Sequence, residues 1–333
     1  MKRLKNGFDL IYQINKMKVI EHIKRAQSTL FSIEILPPLK GRTIDSIFET
    51  MDQLMEFSPA FVDVTYHREE YTYRDAGNGL LEKHTVKKRP GTVGICAALM
   101  HRYNVDPVPH IICGGFSREE TENALIDLNF LGINNVLVLR GDPIRSEGQF
   151  KAEKDGHSYA VELLDQVVDM NVGQYLDPDL RNTAKTDFCI GVAGYPEKHY
   201  EAPNMNTDLR YLKMKVDKGA EYIVTQMFYD NSAYFNFVER CKKNGINVPI
   251  IPGLKPITSR KQLNMIPHFF HIDLPEELSS SIENAKNDQE IKEIGVDWCI
   301  QQSKELAEKG APVLHYYTMG NSDSIKQIAK AVF

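Results

Sequence analysis

An arginine, a glycine and an aspartate directly follow one of the most apolar stretches of the chain. Residues 136–139 are four consecutive apolar residues, two of them β-branched, and Arg140, Gly141 and Asp142 come next. This pattern predicts a buried strand that ends in a polar turn, where glycine permits backbone conformations that other residues avoid. In parallel α/β folds the loops after the carboxyl ends of the strands carry the site, so we expect Arg140 and Asp142 to face it. The alternative is an Arg140–Asp142 pair that only stabilises the turn.

A second candidate for chemistry is a carboxyl group inside an apolar run. Glu34 lies within the predicted strand 30–36, which two consecutive prolines end. Removal from water raises the pKa of a carboxyl group, and a raised pKa suits a general acid that works near neutral pH. The alternative is a buried glutamate that pairs with a lysine or arginine of a neighbouring strand.

Polar residues occupy the ends of the other predicted strands as well. They are Thr65, Tyr66, His67, His110, Tyr195, Gln226, Lys255 and Thr318. Each has an ordinary alternative role, such as a hydrogen bond to nearby backbone, but together they predict a polar rim around one site. The chain contains no HExxH motif, no carboxylate triad beside its histidines and no GxSxG motif. We therefore expect neither a metal site nor a serine hydrolase.

The elements that must position these residues alternate between short apolar runs and amphipathic segments. Apolar runs begin near residues 30, 61, 108, 136, 188, 222, 248 and 313, and a helical pattern follows each of them. Eight strand–helix units predict an α/β fold of the (β/α)8 TIM-barrel type, in a single domain. The alternative is a doubly wound open sheet, but the glycine-rich phosphate-binding motifs GxGxxG and GxxxxGK[ST] do not occur. We also predict a charged loop from His67 to Gly79 and a helical stretch over 258–309 that breaks near Leu274.

Composition argues against several classes of protein. The 333 residues carry a formal net charge of -5, so we expect no general positive field and no nucleic-acid partner. The five cysteines are scattered and form no CxxC pair, which favours a reducing cytoplasm over a disulfide framework. No apolar run has the roughly 18 residues of a membrane-spanning helix. We expect residues 1–16 to be a flexible lead-in, since Met17 could equally begin the chain, and residues 17–333 to form the barrel.

Eight segments of the chain, in order, resemble the signature segments of the methylenetetrahydrofolate reductase family. They are Ser32–Pro38, Val64–Tyr66, Pro109–Cys113, Leu139–Asp142 (with Pro143 next), Gly194–His199, Thr225–Asp230, Ile250–Gly253 and His315–Thr318. The resemblance runs from about Met17 to the C-terminus. It points to the bacterial type of the family, which consists of the catalytic barrel.

The resemblance implies a barrel that binds FAD and reduces 5,10-methylenetetrahydrofolate to 5-methyltetrahydrofolate, which supplies methyl groups for methionine synthesis. In this family NADH or NADPH reduces the flavin, leaves, and is replaced by the folate at the same flavin face, in a ping-pong scheme. The cofactor carries the hydride chemistry, while the protein positions it and supplies protons. Glu34 then corresponds to the general acid that helps to open the imidazolidine ring of the folate. Asp142 corresponds to an acid that lies close to both the flavin and the pterin.

The resemblance also assigns binding residues. The implied FAD contacts are Thr65, Tyr66, His110, Arg140, Gly141, Asp142, Ala160, Tyr195, His199, Asp208 and Lys215. Arg140 and Lys215 would supply positive charge to the pyrophosphate. Gln226 and Gln262 correspond to substrate-binding glutamines, and Phe228 to a wall on which a ring could stack.

Three positions depart from the family pattern. Tyr211 and Met214 stand where polar or basic flavin contacts are expected, and Asn321 stands where an arginine would help to hold the folate tail. The implied partners are methylenetetrahydrofolate and a nicotinamide, with NADH and NADPH both open, and we expect a homo-oligomer. The alternative function is a barrel that binds flavin or folate and takes its electrons from a partner redox protein.

Overall fold

The computed structural model describes residues 16–144, 148–320 and 322–333. Residues 1–15 of the predicted lead-in and Asn321 lie outside the described residues. The strands are β1 (Leu30–Ile35), β2 (Val62–Val64), β3 (Glu70–Gly77), β4 (Leu80–Val86), β5 (Pro107–Ile112), β6 (Asn135–Leu139), β7 (Cys189–Gly194), β8 (Tyr222–Thr225), β9 (Ile250–Ile251), β10 (Gly253–Leu254) and β11 (Val313–Tyr317). The helices are α1 (Val19–Arg25), α2 (Asp45–Leu54), α3 (Thr92–Tyr103), α4 (Arg118–Phe130), α5 (Ala160–Asn171), α6 (Met205–Asp217), α7 (Asn231–Lys243), α8 (Gln262–Phe270), α9 (Glu276–Asn284), α10 (Asp288–Glu308) and α11 (Ser322–Val332).

Parallel strands close into a barrel, and one of its strand positions contains a short break. The sheet order is β10-β11-β1-β2-β5-β6-β7-β8-β9, and β9 and β10 are separated along the chain by Pro252 alone. A proline cannot donate a ladder hydrogen bond, so the strand is interrupted there. Because β9 pairs with β8 and β10 pairs with β11, the two short pieces fill one strand position and close the ring. The predicted eight-unit (β/α)8 barrel is confirmed.

Alternation along the strands separates two layers of side chains. On β1, Phe31, Ile33 and Ile35 belong to the main core between strands and helices, so Ser32 and Glu34 point into the barrel. On β2 the same alternation turns Asp63 inward between two core valines. The inner face of the barrel therefore holds the polar residues of these strands, and the helices cover the apolar ones.

Helix α1 covers the amino-terminal end of the barrel. Val19 is fully buried in a second cluster whose other members lie on the inner side of the strands. They are Phe61, Val108, Leu137, Cys189, Tyr222, Val224, Ile251 and Val313. The backbone of α1 is held by Asn135 at the start of β6, whose Oδ1 accepts from Val19 N at 2.9 Å and whose Nδ2 donates to Met17 O at 3.0 Å. The barrel is thus filled at this end and its polar residues lie toward the other.

Two sequence predictions about connections need correction. The predicted loop from His67 to Gly79 is wrong in part, because β3 and β4 form an antiparallel hairpin. Its turn at Gly77, Asn78 and Gly79 has positive φ angles of 84°, 55° and 74°, the conformation that an Asn-Gly pair favours. The predicted helical stretch over 258–309 breaks near Leu274 as expected, but a second break at 285–287 divides it into three helices.

In the part of the chain that the structure describes, no helix is both long enough and apolar enough to pass through a membrane.

Candidate functional site

Glu34 lies at the carboxyl end of the barrel and faces two other polar side chains. Its Oε2 is 3.5 Å from His110 Nε2, and the same nitrogen is 3.3 Å from Asp63 Oδ2. The strand register explains this cluster, since Glu34 is paired with Asp63 across β1 and β2, and β5 follows next in the sheet. The backbone oxygen of Glu34 is held by Thr318, which donates from its hydroxyl at 2.7 Å and from its N–H at 3.1 Å. Glu34 is therefore fixed by both of its neighbouring strands.

The surroundings of Glu34 favour its protonated form. Burial raises its pKa to about 7, the nearby Asp63 carboxyl acts in the same direction, and His110 opposes them. In the described part of the chain, the basic side chain within ion-pair distance of Glu34 is His110, rather than the lysine or arginine that the alternative interpretation requires. A carboxyl group that holds a proton near neutral pH can serve as a general acid.

A second buried polar pair lies beside this cluster. His315 on β11 is fully buried, and its Nδ1 is 2.9 Å from the Ser32 hydroxyl. Burial raises the pKa of Asp63 to about 7, and His315 acts against that rise. Asp63 and His315 are site residues that were not predicted from the sequence. The signal for Asp63 was present, because a charged residue between two β-branched residues of a buried strand is the same feature that identified Glu34.

The turn after β6 has the predicted form. The strand ends at Leu139, and Gly141 follows with a φ of +84°. A Cβ at this glycine would lie 3.1 Å from Ile112 Cδ1, so both conformation and space disfavour a side chain. Asp142 is exposed on the rim. Arg140 forms its ion pair with Glu201 of the loop after β7, at 2.6 Å.

The loop after β7 and the start of α6 bring together most of the other implied cofactor residues. The rings of Tyr195 and His199 meet edge to face with centroids 4.7 Å apart, and His199 N donates to Asp208 Oδ2 at 2.9 Å. Lys215 Nζ donates to Ala193 O at 2.9 Å. Burial lowers the pKa of Lys215 to about 8, against the effect of Asp208. Burial also raises the pKa of Tyr195, and the Asp142 and Asp208 charges add to that rise.

The remaining implied cofactor residues lie along neighbouring loops of the same rim. The Thr65 hydroxyl is 3.4 Å from Ile35 O. The ring of Tyr66 lies 4.8 Å from that of Phe116, and burial raises its pKa to about 12. Ala160 is the first residue of α5. In the described ranges of the chain, no three histidine, cysteine, aspartate or glutamate residues are arranged to hold a metal ion.

The chain matches the family model for methylenetetrahydrofolate reductase over residues 18–332. It belongs to the methylenetetrahydrofolate reductase family. It is 33% identical to methylenetetrahydrofolate reductase (NADH) 1 of Arabidopsis thaliana, over 91% of this chain and 48% of the plant protein. It is 29% identical to the 5,10-methylenetetrahydrofolate reductase of Salmonella typhimurium, over 88% of this chain and 86% of the bacterial protein. The chain thus spans about half the length of the plant relative and most of the length of the bacterial one.

A solved structure shares the fold. It is an uncharacterized protein from Clostridium thermocellum that binds two copies of 5-methyl-5,6,7,8-tetrahydrofolic acid. The superposition has a TM-score of 0.55 with 17% sequence identity, and it covers 94% of this chain and 97% of the other. At this level of identity the similarity supports the barrel architecture.

The residues that the methylenetetrahydrofolate reductase resemblance assigned to substrate are in three different environments. Gln226 is half-buried directly after β8, and its Oε1 accepts from Met227 N at 2.9 Å. Gln262 is 9% exposed, and its Oε1 accepts from Thr258 N at 2.6 Å and so holds the turn before α8. Phe228 is 1% exposed and stacks on Tyr234 in the core outside the strands. The structure therefore brings Gln226 to the strand ends but does not bring the Phe228 ring there.

The two described departures from the methylenetetrahydrofolate reductase pattern lie on the surface of α6. Tyr211 is 51% exposed and Met214 is 42% exposed. Lys215 on the same helix is instead directed at the end of β7. One helix thus presents a cation inward and two residues of different chemistry outward.

Proposed function

We propose that this chain reduces 5,10-methylenetetrahydrofolate to 5-methyltetrahydrofolate with electrons from NADH or NADPH, carried by FAD in a ping-pong scheme. The observation that carries the proposal is the Glu34 carboxyl group, which burial makes protonatable at neutral pH at the carboxyl end of the barrel. In a TIM barrel this end is where catalytic groups are found. Membership of the methylenetetrahydrofolate reductase family supports the choice of substrate.

The residues after β6 and β7 fit a flavin dinucleotide. Arg140 and Lys215 are cations that could meet the pyrophosphate, and Gly141 lets the backbone approach a ligand where a Cβ would contact Ile112. A bound phosphate would compete with Glu201 for the Arg140 guanidinium. FAD, when bound, would supply hydride transfer between the nicotinamide and the folate. The protein groups hold the cofactor and exclude water from it.

Glu34 has a limited task in this proposal. Its carboxyl group donates a proton to a ring nitrogen of the folate, which opens the imidazolidine ring and leaves an iminium carbon that accepts hydride. The Glu34 carboxylate then regains a proton from solvent. Thr318 fixes the Glu34 backbone, so the carboxyl group is presented from a rigid strand end.

Asp142 has an electrostatic role in the same proposal. It lies on the rim, and its charge acts on the Tyr195 hydroxyl. We assign it to the pterin and to the electrostatic tuning of the flavin. Gln226, half-buried after β8, is the polar group assigned to hold the pterin in place.

Two further features support a cytoplasmic homo-oligomer. All five cysteines are buried free thiols, which suits a reducing compartment. The hairpin of β3 and β4 exposes Tyr73, Leu80 and Leu81 by 61%, 66% and 68%. A two-stranded hairpin is marginally stable alone in water, so contact with a second copy would stabilise it.

The test is the pair of anaerobic flavin half-reactions of the purified holoprotein. We expect NADH or NADPH to bleach the flavin absorbance and methylenetetrahydrofolate to restore it. Glu34→Gln should retain flavin reduction by nicotinamide and lose reoxidation by folate, because the amide cannot donate the proton. Glu308→Gln, an exposed change at the end of α10, is the control and should leave both half-reactions unchanged.

Three outcomes would contradict the proposal. A colourless protein that FAD does not reconstitute would remove the cofactor. Unchanged folate turnover in Glu34→Gln would remove Glu34 as the acid. A flavin that stays oxidised with both nicotinamides, but is reduced by a partner redox protein, would support the partner-dependent barrel instead.

A further inference from the structure

Asp63 is the most deeply buried carboxyl group next to the Glu34 site. Its side chain is fully buried, and Oδ2 is 3.3 Å from His110 Nε2. His110 Nε2 therefore lies between the carboxyl groups of Asp63 and Glu34, at nearly equal distances from both. A nitrogen in this position can donate to either carboxyl group. The three side chains form one unit that spans β1, β2 and β5.

The other oxygen of Asp63 points to a role beyond packing. In the described part of the chain, Asp63 Oδ1 and His315 Nε2 are both buried and have no hydrogen-bond partner. An unsatisfied buried polar atom costs about 1 to 3 kcal/mol, so a purely structural position would be more stable with an apolar residue. Buried ionisable groups that are retained despite this cost concentrate at functional sites.

We propose that Asp63 is a positioning residue that acts through His110 to hold the proton of the Glu34 carboxyl group until folate takes it. The proposal rests on the role of Glu34 in the proposed function. In this proposal Asp63 acts without contacting substrate or cofactor. His315, which is hydrogen-bonded to Ser32, opposes the rise in the pKa of Asp63.

The groups that face Glu34 determine the direction in which removal of the Asp63 charge shifts the pKa of Glu34. Asp63 from β2, when it is ionised, is a like charge that opposes ionisation of Glu34. His110 from β5 favours ionisation of Glu34 when it is protonated, but burial lowers the pKa of His110 and so disfavours its protonated form. Tyr317 from β11 stays neutral because burial raises its pKa well above the ordinary value. Removal of the Asp63 charge should therefore make Glu34 a stronger acid that loses its proton at lower pH.

The experiment compares the wild-type holoenzyme with Asp63→Asn. Folate should reoxidise the flavin slowly above a pH limit at which Glu34 loses its proton. We expect this limit to be about one pH unit lower in Asp63→Asn, so that above the wild-type limit the variant is about tenfold slower than the wild type. Flavin reduction by nicotinamide should not change. Asp63→Glu, which keeps the charge, should restore the limit toward its wild-type position and serves as a second variant if Asp63→Asn does not fold.

The matched control is a second aspartate–histidine pair at the opposite end of the barrel. Asp106 Oδ2 is 2.7 Å from His22 Nε2, with side chains 12% and 13% exposed. Asp106→Asn should lower stability without moving the pH limit of the folate half-reaction. If Asp63 has only a structural role, Asp63→Asn should likewise leave the pH limit of the folate half-reaction unmoved, and any loss of rate should be the same at every pH. That result would overturn the proposal.

A second readout keeps the inference separate from the proposed function. Infrared difference spectra of the free protein can follow the carboxyl stretching band that Glu34→Gln removes. We expect this band to titrate at lower pH in Asp63→Asn than in the wild type. An unchanged titration overturns the role of Asp63 even if the enzyme turns over folate. A shifted titration without folate turnover supports the coupling and contradicts the proposed function instead.

Discussion

At the scale of single residues, the site depends on inward positions that alternate with core positions along the strands. Glu34 and Asp63 occupy such positions on adjacent strands, and His110 comes from the next strand. The Asp63 side chain is fully buried and that of Glu34 is 16% exposed, and both carboxyl groups have pKa values raised to about 7. The chemistry of this barrel is therefore concentrated in a few side chains whose neighbours are set by the register.

Gly141 is a residue for which backbone conformation and function can be separated by a matched pair of variants. Gly141→Ala and Gly310→Ala both place a Cβ at nearly the same φ, 84° and 83°, and a Cβ at Gly310 would extend into open space. We expect each change to lower the free energy of unfolding by about 1 kcal/mol because of the left-handed conformation. Only Gly141→Ala should also weaken FAD binding, by about tenfold or more.

This prediction is measured by denaturant unfolding and by fluorescence titration of the apoprotein with FAD. Equal FAD affinity in the two variants would contradict a flavin contact at Gly141.

At the scale of elements, α1 is held to the barrel by hydrogen bonds that include two from one buried asparagine. Asn135 is 3% exposed and bonds the backbone of both Met17 and Val19. Helix α1 has only 7 residues, too few to be stable by itself, so its position depends on this contact, on the His22–Asp106 pair and on the burial of Val19. The amino-terminal end of the barrel is therefore closed by packing rather than by the sheet.

We predict that Asn135→Ala lowers the free energy of unfolding by about 1 to 3 kcal/mol, because the Val19 N–H loses its partner. The flavin half-reactions should be unchanged, since the site lies at the opposite end. Thermal or urea unfolding measures the first effect and stopped-flow absorbance the second. Asn123→Ala, an exposed change on α4, is the control. A loss of activity equal to the loss of stability would show that α1 also supports the site.

At the scale of the whole molecule, the barrel closes at the strand position that Pro252 interrupts. The closed barrel shields the Glu34 and Asp63 carboxyl groups from water. The backbone oxygen of Pro252 accepts from His315 N at 3.1 Å, so the interruption is bridged next to the polar layer. Glu34 and Asp63 have raised pKa values mainly because the closed barrel removes them from water. Global stability must therefore depend on pH through these groups.

The sign of that dependence follows from proton binding. Between pH 4 and 7 the folded state holds protons on Glu34 or Asp63 that the unfolded chain has released, so stability falls as pH rises toward 7. The Glu34→Gln/Asp63→Asn double variant lacks both groups. We expect its free energy of unfolding to rise by roughly 3 kcal/mol for each carboxyl group removed, relative to the wild type, between about pH 4 and pH 8. Urea unfolding at several pH values measures the difference, and a pH-independent difference would contradict the raised pKa values.

The sequence by itself determined the eight strand–helix units, the turn at Arg140 to Asp142 and the buried carboxyl group of Glu34, because these depend on local periodicity and on residue chemistry. The family resemblance, borne by eight ordered segments, is also a property of the sequence alone. Only the tertiary structure decided that His110 lies between Glu34 and Asp63, although Asp63 and His110 are 47 residues apart. It also placed Phe228 in the outer core and made Arg140 the partner of Glu201. The reason is that neighbours across a barrel are set by strand register and closure, which arise from contacts between distant parts of the chain.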